Sequence, residues 1–391
     1  MQFVLTIDDY PQTLATVRAL GESGYGVYVG RRANRSVAET SRYASGGFHL
    51  VSDDNVVIVD RLNAFLCDHP EICCVMPIGE RSIARLQTKS LDIERGVPIV
   101  AVKGNTLETC VDKIRTNETA AVAGLRVPPS GVARTHAELT AIVTSIGYPV
   151  VLKSPSNEAL ICGNKAFVVD NEIVFNDHFP EWPIEHSELL VQMFVTGEVV
   201  GSDFVAVDGD LIAYYQGNLR RTDRLDGTGF GVEFSSVAPE PKLFSVVSTL
   251  VKFMHYSGPG LVQCVRCDRT DDLYFLEVNP RFSAGIAEPV NAGVNLPSVA
   301  VGAALGLASA KIRSHEGAQY RYPFVSYWFE RDLLGWLDQR RYLSAHDNLR
   351  WLNQMIKAFA SCDSHINWRW RDPLPSLFTY ARIARNLIRR N

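Results

Sequence analysis

The 391-residue chain reads as a mixed α/β and α+β protein. Three stretches predict it. The opening FVLTI, TLATVRALGESG and YGVYVG gives strand, helix and strand, the unit of a small doubly wound parallel sheet. Farther on, SELLVQMFVTGEVVGSDFVAVDGDLIAYYQ places Asp208-Gly209 between two apolar runs, a hairpin signal that predicts mostly antiparallel sheet. Beyond residue 310 the texture turns helical.

Composition narrows the classes. An apolar share of 46% with 21% charged residues is that of a globular protein, which excludes disorder and coiled coil. The formal charge of −4 offers no general attraction to nucleic acid or anionic lipid. No apolar run is long enough to span a membrane, and MQFVLTIDDYPQ meets acid before completing a signal-like stretch, so a cytoplasmic protein is expected. The eight cysteines show no disulfide framework. Cys264 and Cys267 lie in a strand-like run, where residues three apart face opposite ways, and read as core thiols rather than zinc ligands.

Element by element, Gly21 and Gly24 are read as closing the first helix. A second strand, helix and strand pattern follows in VVIVDRLNAFLCDHPEICCVMPI. No GxGxxG follows the first strand, only Asp8-Asp9-Tyr10, which argues against dinucleotide binding. DKIRTNETAAVAGLRVPPS predicts a helix stopped at Gly124 before a Pro-Pro segment, with a boundary near residues 105 to 112. YPVVLKSP is a short buried strand ending in Lys153. Near the C-terminus, Leu349, Leu352, Met355, Ile356 and Phe359 share helical spacing. The last helix sets Arg382, Arg385 and Arg389 on one stripe beside Arg390. A docked helix with solvated arginines and contact with an anionic membrane surface are the two readings of that stripe.

The chemistry concentrates in DLYFLEVNPRFSAG, residues 272 to 285. Strand alternation is expected to put Leu273, Phe275, Glu277 and Asn279 on one face and Tyr274, Leu276 and Val278 on the other. A carboxylate and an amide oxygen two residues apart reach into one small volume, which suits Mg²⁺ shared with nucleotide phosphates. The preceding GLVQCVRC forms a hairpin with this strand and is expected to bring Gln263 beside Glu277. Arg281 projects beyond Pro280.

FLEVNPRFSAG resembles the metal-binding strand of the ATP-grasp superfamily, and Gln263, Glu277 and Asn279 match the ligand spacing of its carbamoyl-phosphate synthetase-like members. The resemblance covers roughly residues 1 to 310. It implies an ATP-grasp fold arranged as a pre-ATP-grasp Rossmann-like domain (1–108), an N-terminal lobe (109–190), a C-terminal lobe (191–310) and a mainly helical C-terminal extension (311–391).

The same resemblance implies site roles. Lys113 and Lys153 correspond to the two ATP-binding lysines, offsetting triphosphate charge. In LLVQMFVTGEVVG, Gln192, Met193, Phe194 and Val195 correspond to the hinge whose backbone meets adenine, and Glu198 to the ribose ligand. Gln263, Glu277 and Asn279 hold Mg²⁺ or Mn²⁺. GNLRRTDRLDGTGFG is read as a polar loop facing the substrate, with Arg220, Arg221 and Arg224 as candidates. Arg281 and Lys153 are the catalytic candidates. One departure stands out: SPSNEALICGNKAF holds only Gly163 where relatives carry a glycine-rich phosphate loop.

The implied activity is ATP-dependent ligation of a small-molecule carboxylate, activated as an acyl phosphate, to an amine or ammonia. The alternative is a non-catalytic ATP-binding regulatory or scaffold protein associated with polysaccharide assembly.

Overall fold

A computed structural model describes residues 1–31, 36–50, 55–87, 93, 96–102, 104–156, 159–225, 229–307 and 310–390, without the side chains of 55–57 and 386–390. Among the described residues the strands form three sheets.

The first sheet holds β1 (Phe3–Ile7), β2 (Gly26–Arg31), β3 (Ala44–His49) and β4 (Ile72–Pro77), all parallel, in the order β3-β2-β1-β4. It is covered on both faces, as a parallel sheet must be. Val4, Val27, Cys74 and Met76 enter one core while Leu5, Ile72 and Val75 enter another. Helices α1 (Thr13–Glu22) and α2 (Asn55–Asp68) connect the strands.

Two expectations need correction here. The run VVIV starts α2 rather than forming a strand, and the strand before it is ASGGFH of β3, whose glycines hide its pattern. Gly21 lies inside α1, where a Cβ would sit 2.5 Å from the Tyr43 ring, so close packing and not helix termination requires it. Gly24, at φ +88°, takes the left-handed turn.

After α3 (Glu80–Gln87) and α4 (Gly104–Val111), α5 (Lys113–Val122) begins at Asp112, whose side chain accepts from the Ile114 and Arg115 N–H groups. Gly124 follows at φ +83°. The second sheet, order β5-β8-β6-β7, is antiparallel and comprises β5 (Ser130–Ala133), β6 (Val150–Lys153), β7 (Ala166–Val169) and β8 (Leu189–Met193). Helices α6 (His136–Ile146) and α7 (Glu172–His178) pack on it through Leu139, Val143 and Phe175.

The third sheet is built on the long hairpin of β9 (Gly197–Val207) and β10 (Asp210–Thr222). Asp208 and Gly209 turn it at φ +47° and +81°, the expected primed turn. β11 (Gly231–Ser236), helix α8 (Pro241–Phe253), β12 (Gly258–Cys267) and β13 (Leu273–Asn279) follow. Helices α9 (Ala287–Ala292) and α10 (Leu296–Ala304) come next, and Phe282, Ile286 and Leu296 share a core with the first sheet.

The segment after residue 310 is less purely helical than its texture predicts. β14 (Phe324–Tyr327) and β15 (Ser364–His365) extend the third sheet beside β11, while α11 (Phe329–Gln339), α12 (Ala345–Ser361) and α13 (Leu374–Arg390) pack around it.

Of the predicted stripe on α12 only Met355 is buried, and most of the rest points outward. Leu349 and Ile356 are both 69% exposed, and the buried side is Trp351, Met355 and Ala358. The Trp351 indole N–H donates to buried Asp332 at 2.8 Å, which selects that face. This segment is tied to the first sheet's helix α1 by Arg18, buried against Asp372 at 2.8 Å. On α13, Arg382 borders a cavity of about 300 Å³ with Asp9 and Glu330, and Arg389 and Arg390 lie outside the described side chains.

Candidate active site

A cavity of about 450 Å³ lies between the second and third sheets, and it draws on segments far apart in sequence. At one end are three lysines. Lys153 closes β6, 8% exposed, and its Nζ donates to Gln192 Oε1 at 2.9 Å. Burial lowers its pKa from 10.5 to about 8, with nearby Glu277 opposing the fall and Lys113 adding to it. Lys113, the first residue of α5, donates to the Ser154 carbonyl at 3.2 Å and is also lowered by burial. Neither pairs with a carboxylate among the described residues.

Lys165 is the third. The segment before it has one glycine because it turns by a different device: Ile161 and Asn164 exchange backbone hydrogen bonds across Cys162 and Gly163, at φ +47° and +76°. Asn157 and Glu158 lie outside the described residues.

Gln263 pairs directly with Glu277 across the β12–β13 hairpin, as expected. The expected alternation does not hold. The register shifts between Gln263 and Cys264, so Leu276 is an extra residue on β13, a β-bulge. Leu273, Phe275 and Val278 therefore enter the core together, while Leu276, Glu277 and Asn279 line the cavity. Asn279 Nδ2 donates to Glu277 Oε1 at 2.9 Å. Gln263, Glu277 and Asn279 give an all-oxygen donor set with one carboxylate, which fits a hard divalent cation. Arg281 lines the cavity beyond them, its Nε 3.1 Å from Glu80 of α3.

At the hinge, the N–H groups of Met193 and Phe194 already donate to the Pro129 and Pro149 carbonyls, leaving Val195 as the unpartnered hinge donor among the described residues. The Gln192 side chain is engaged as well: it accepts from Lys153 and donates to Asn117 Oδ1 at 2.9 Å. Glu198 is exposed and accepts from Asn218, a cavity residue, at 2.8 Å.

The arginine segment differs from its reading. Arg220 and Arg221 belong to strand β10, not to a loop, and none of Arg220, Arg221 and Arg224 lines the cavity. Arg221 forms a two-pronged ion pair with Asp332, which is fully buried on α11. Arg220 faces Glu233 at 3.6 Å. Arg224 is exposed.

Sequence reasoning also missed Asp203, Tyr215 and Glu288, which line the same cavity. Burial raises Asp203 to about 6 and Glu288 to about 8. The available signal was an acid inside the apolar run GSDFVAV.

Known proteins resemble this chain in sequence and in fold. A family described as ATP-grasp in the biosynthetic pathway with Ter operon matches residues 185–323, which include the hinge, the bulged strand and Arg281. That match covers about a third of the chain. It is 24% identical over 229 residues to the carbamoyl phosphate synthase large chain, C-terminal section, of Aquifex aeolicus (strain VF5), covering 56% of this chain and 41% of that protein. The chain thus spans less than half the length of that curated relative.

The ATP-grasp fold extends through most of the structure. A Campylobacter jejuni biotin carboxylase in a β-γ-ATP complex superposes with a TM-score of 0.65 at 15% identity, over 83% of this chain and 74% of that chain. The Staphylococcus aureus N5-carboxyaminoimidazole synthetase gives 0.65 at 14%, over 86% and 85%. Among the described residues no helix is long and apolar enough to cross a membrane.

Proposed function

We propose that the chain is an ADP-forming ligase that activates a small-molecule carboxylate as an acyl phosphate and joins it to an amine or ammonia. One observation carries the reading: a buried lysine, Lys153, and a half-buried one, Lys113, both without carboxylate partners among the described residues, converge on the cavity that receives the Gln263, Glu277 and Asn279 oxygens. Ammonium groups held by neutral acceptors in a partly desolvated cleft await an anion. A magnesium-bound triphosphate supplies one.

In this reading Lys113, Lys153 and Lys165 grip the phosphates, and Gln263, Glu277 and Asn279 hold Mg²⁺, with Mn²⁺ as a substitute. The ion, when bound, neutralises charge on the transferring phosphoryl group. Met193, Phe194 and Val195 border the adenine, and Glu198 takes the ribose. The substrate carboxylate attacks the γ-phosphate in line, ADP leaves, and the amine then attacks the carbonyl carbon and expels phosphate. Arg281 steadies the acyl phosphate, its orientation fixed by Glu80.

The non-catalytic alternative drew on the glycine-poor segment. Lys165, presented by the turn that replaces those glycines, gives the cavity a third cation and favours turnover. A panel of carboxylates crossed with amines tests the proposal. ADP release that needs both partners and disappears in Glu277→Ala supports it; release indifferent to both, or AMP as product, refutes it.

A further inference from the structure

The part of the cavity lining supplied by β9, β10 and α9 has a chemistry of its own. Asp203 of β9 and Tyr215 of β10 are cross-strand partners, and Gly201 and Gly217, two residues along each strand, are partners too. All four line the cavity. The missing side chain at Gly217 makes room for Glu288 of α9: a Cβ there would lie 3.1 and 3.3 Å from the two carboxylate oxygens. Asp203, Tyr215 and Glu288 are 8%, 1% and 5% exposed.

Their bonding is incomplete. Glu288 Oε1 and the Tyr215 hydroxyl are buried and face each other without a hydrogen bond of normal geometry, and Asp203 accepts a long 3.4 Å bond from the Ser283 N–H with the Ser283 hydroxyl also beside it. Buried polar atoms of this kind cost stability unless something satisfies them. The neighbouring cation, Arg281, already faces Glu80. Asp203, raised only to about 6, is the charged group at neutral pH, and with the Glu288 carboxyl and Tyr215 hydroxyl beside it the enclosed pocket suits a compact cation bearing several N–H donors.

We propose that Asp203, Tyr215 and Glu288 form a binding pocket for the ammonium group of the amine substrate. This rests on the ligase reading for its place in the reaction. The cavity lining then divides by chemistry: lysines for the phosphates, the bulged strand and Arg281 at the reacting centre, and a carboxyl pocket that holds the ammonium and takes up the proton it sheds before the amine attacks. A primary ammonium presents three donors to the three acceptors, and a quaternary one presents none.

The test is calorimetric titration of the full chain, with magnesium ADP present, against methylammonium, ethanolammonium and tetramethylammonium chloride at matched ionic strength. The two primary ammonium ions are expected to bind and the quaternary ion is not. Glu288→Gln is expected to weaken binding roughly tenfold or more while leaving magnesium ADP affinity unchanged. Gly217→Ala, which fills the pocket without altering charge, is expected to act in the same direction and guards against misfolding of the first variant.

Equal binding of the quaternary ion, no binding of either primary ion, or binding unchanged in both variants would overturn the proposal. So would a magnesium chloride titration abolished by Glu288→Gln. Because the titration needs no turnover, methylammonium binding lost in the variants alongside a carboxylate panel that yields no ADP would sink the ligase reading and leave the pocket standing.

Discussion

Replacing Lys153 by methionine tests the central electrostatic claim, because stability and ligand binding are expected to move in opposite directions. The lysine pKa falls from 10.5 to about 8 on folding. At about 1.4 kcal/mol per unit, holding that ammonium inside the lobe costs the folded chain about 3 kcal/mol at neutral pH. Methionine fills similar space and removes the cost. It also leaves Gln192 Oε1 without its donor, a loss of about 1–3 kcal/mol. At pH 7 the variant is therefore expected to be as stable as the parent, or up to about 2 kcal/mol more stable.

The sign with pH follows from proton counting. Between pH 8 and 10.5 the unfolded lysine keeps its proton while the folded one loses it, so parental stability from this group rises across that window. Below pH 8 the penalty is fully present. Urea unfolding of both chains in EDTA from pH 7 to 10.5, followed by tryptophan fluorescence, isolates the residue, since every other titrating group is common to both. The variant curve is expected to start level or above and to cross below the parent. Magnesium ATP affinity at pH 7 is expected to fall roughly 10- to 100-fold in the variant, the worth of one charge-assisted hydrogen bond. Parallel pH curves would refute the argument for an ammonium held at energetic cost, whatever happened to activity.

Other outcomes follow from the same geometry. Glu277→Gln keeps the shape of the bulged strand but removes its carboxylate, so the chain should melt normally while ADP formation falls by roughly 100-fold or more, measured across a magnesium titration. Asp372→Ala strands Arg18 in the interior and is expected to cost about 3–5 kcal/mol in urea unfolding. Burial pushes the Asp372 carboxyl up, but the Arg42 N–H, Arg18 and Ser41 together hold it below 3.8, so this stabilisation is present at neutral pH and is lost as pH falls through the folded value. Arg221→Met should also cost about 3–5 kcal/mol by unpairing buried Asp332, yet leave the carboxylate KM of the folded enzyme unchanged; a KM effect without a stability loss would restore Arg221 as a substrate ligand.

What was legible in the sequence was local. Asp208-Gly209 announced its hairpin because two successive positive φ values restrict the residue types that fit. Lys153 and the Glu277, Asn279 pair were visible as polar residues closing apolar strands. The β-bulge was not visible, since it exists only in the register between β12 and β13; alternation along β13 alone gives the opposite face assignment for Leu273 and Phe275. Arg221 looked free because Asp332, its partner, lies more than a hundred residues away. Asp203 and Glu288 escaped notice for the same reason, as burial of a short acidic side chain depends on what the rest of the fold lays over it.

The bulge also explains how one hairpin serves both a core and a site. With regular alternation, the face carrying Glu277 and Asn279 would be the one carrying Phe275 and Leu273, and the third sheet would have to give up those core contacts to expose the carboxylate. The extra residue at Leu276 lets the buried sequence Leu273, Phe275, Val278 continue on one side while the oxygens emerge on the other. Glu80 then ties Arg281, two residues past that tip, to the first parallel sheet. The tip of the hairpin is thus set by register within the third sheet and by an ion pair to α3, and the residues that fix it, Leu276 and Glu80, are not the ones that carry the cavity's oxygens.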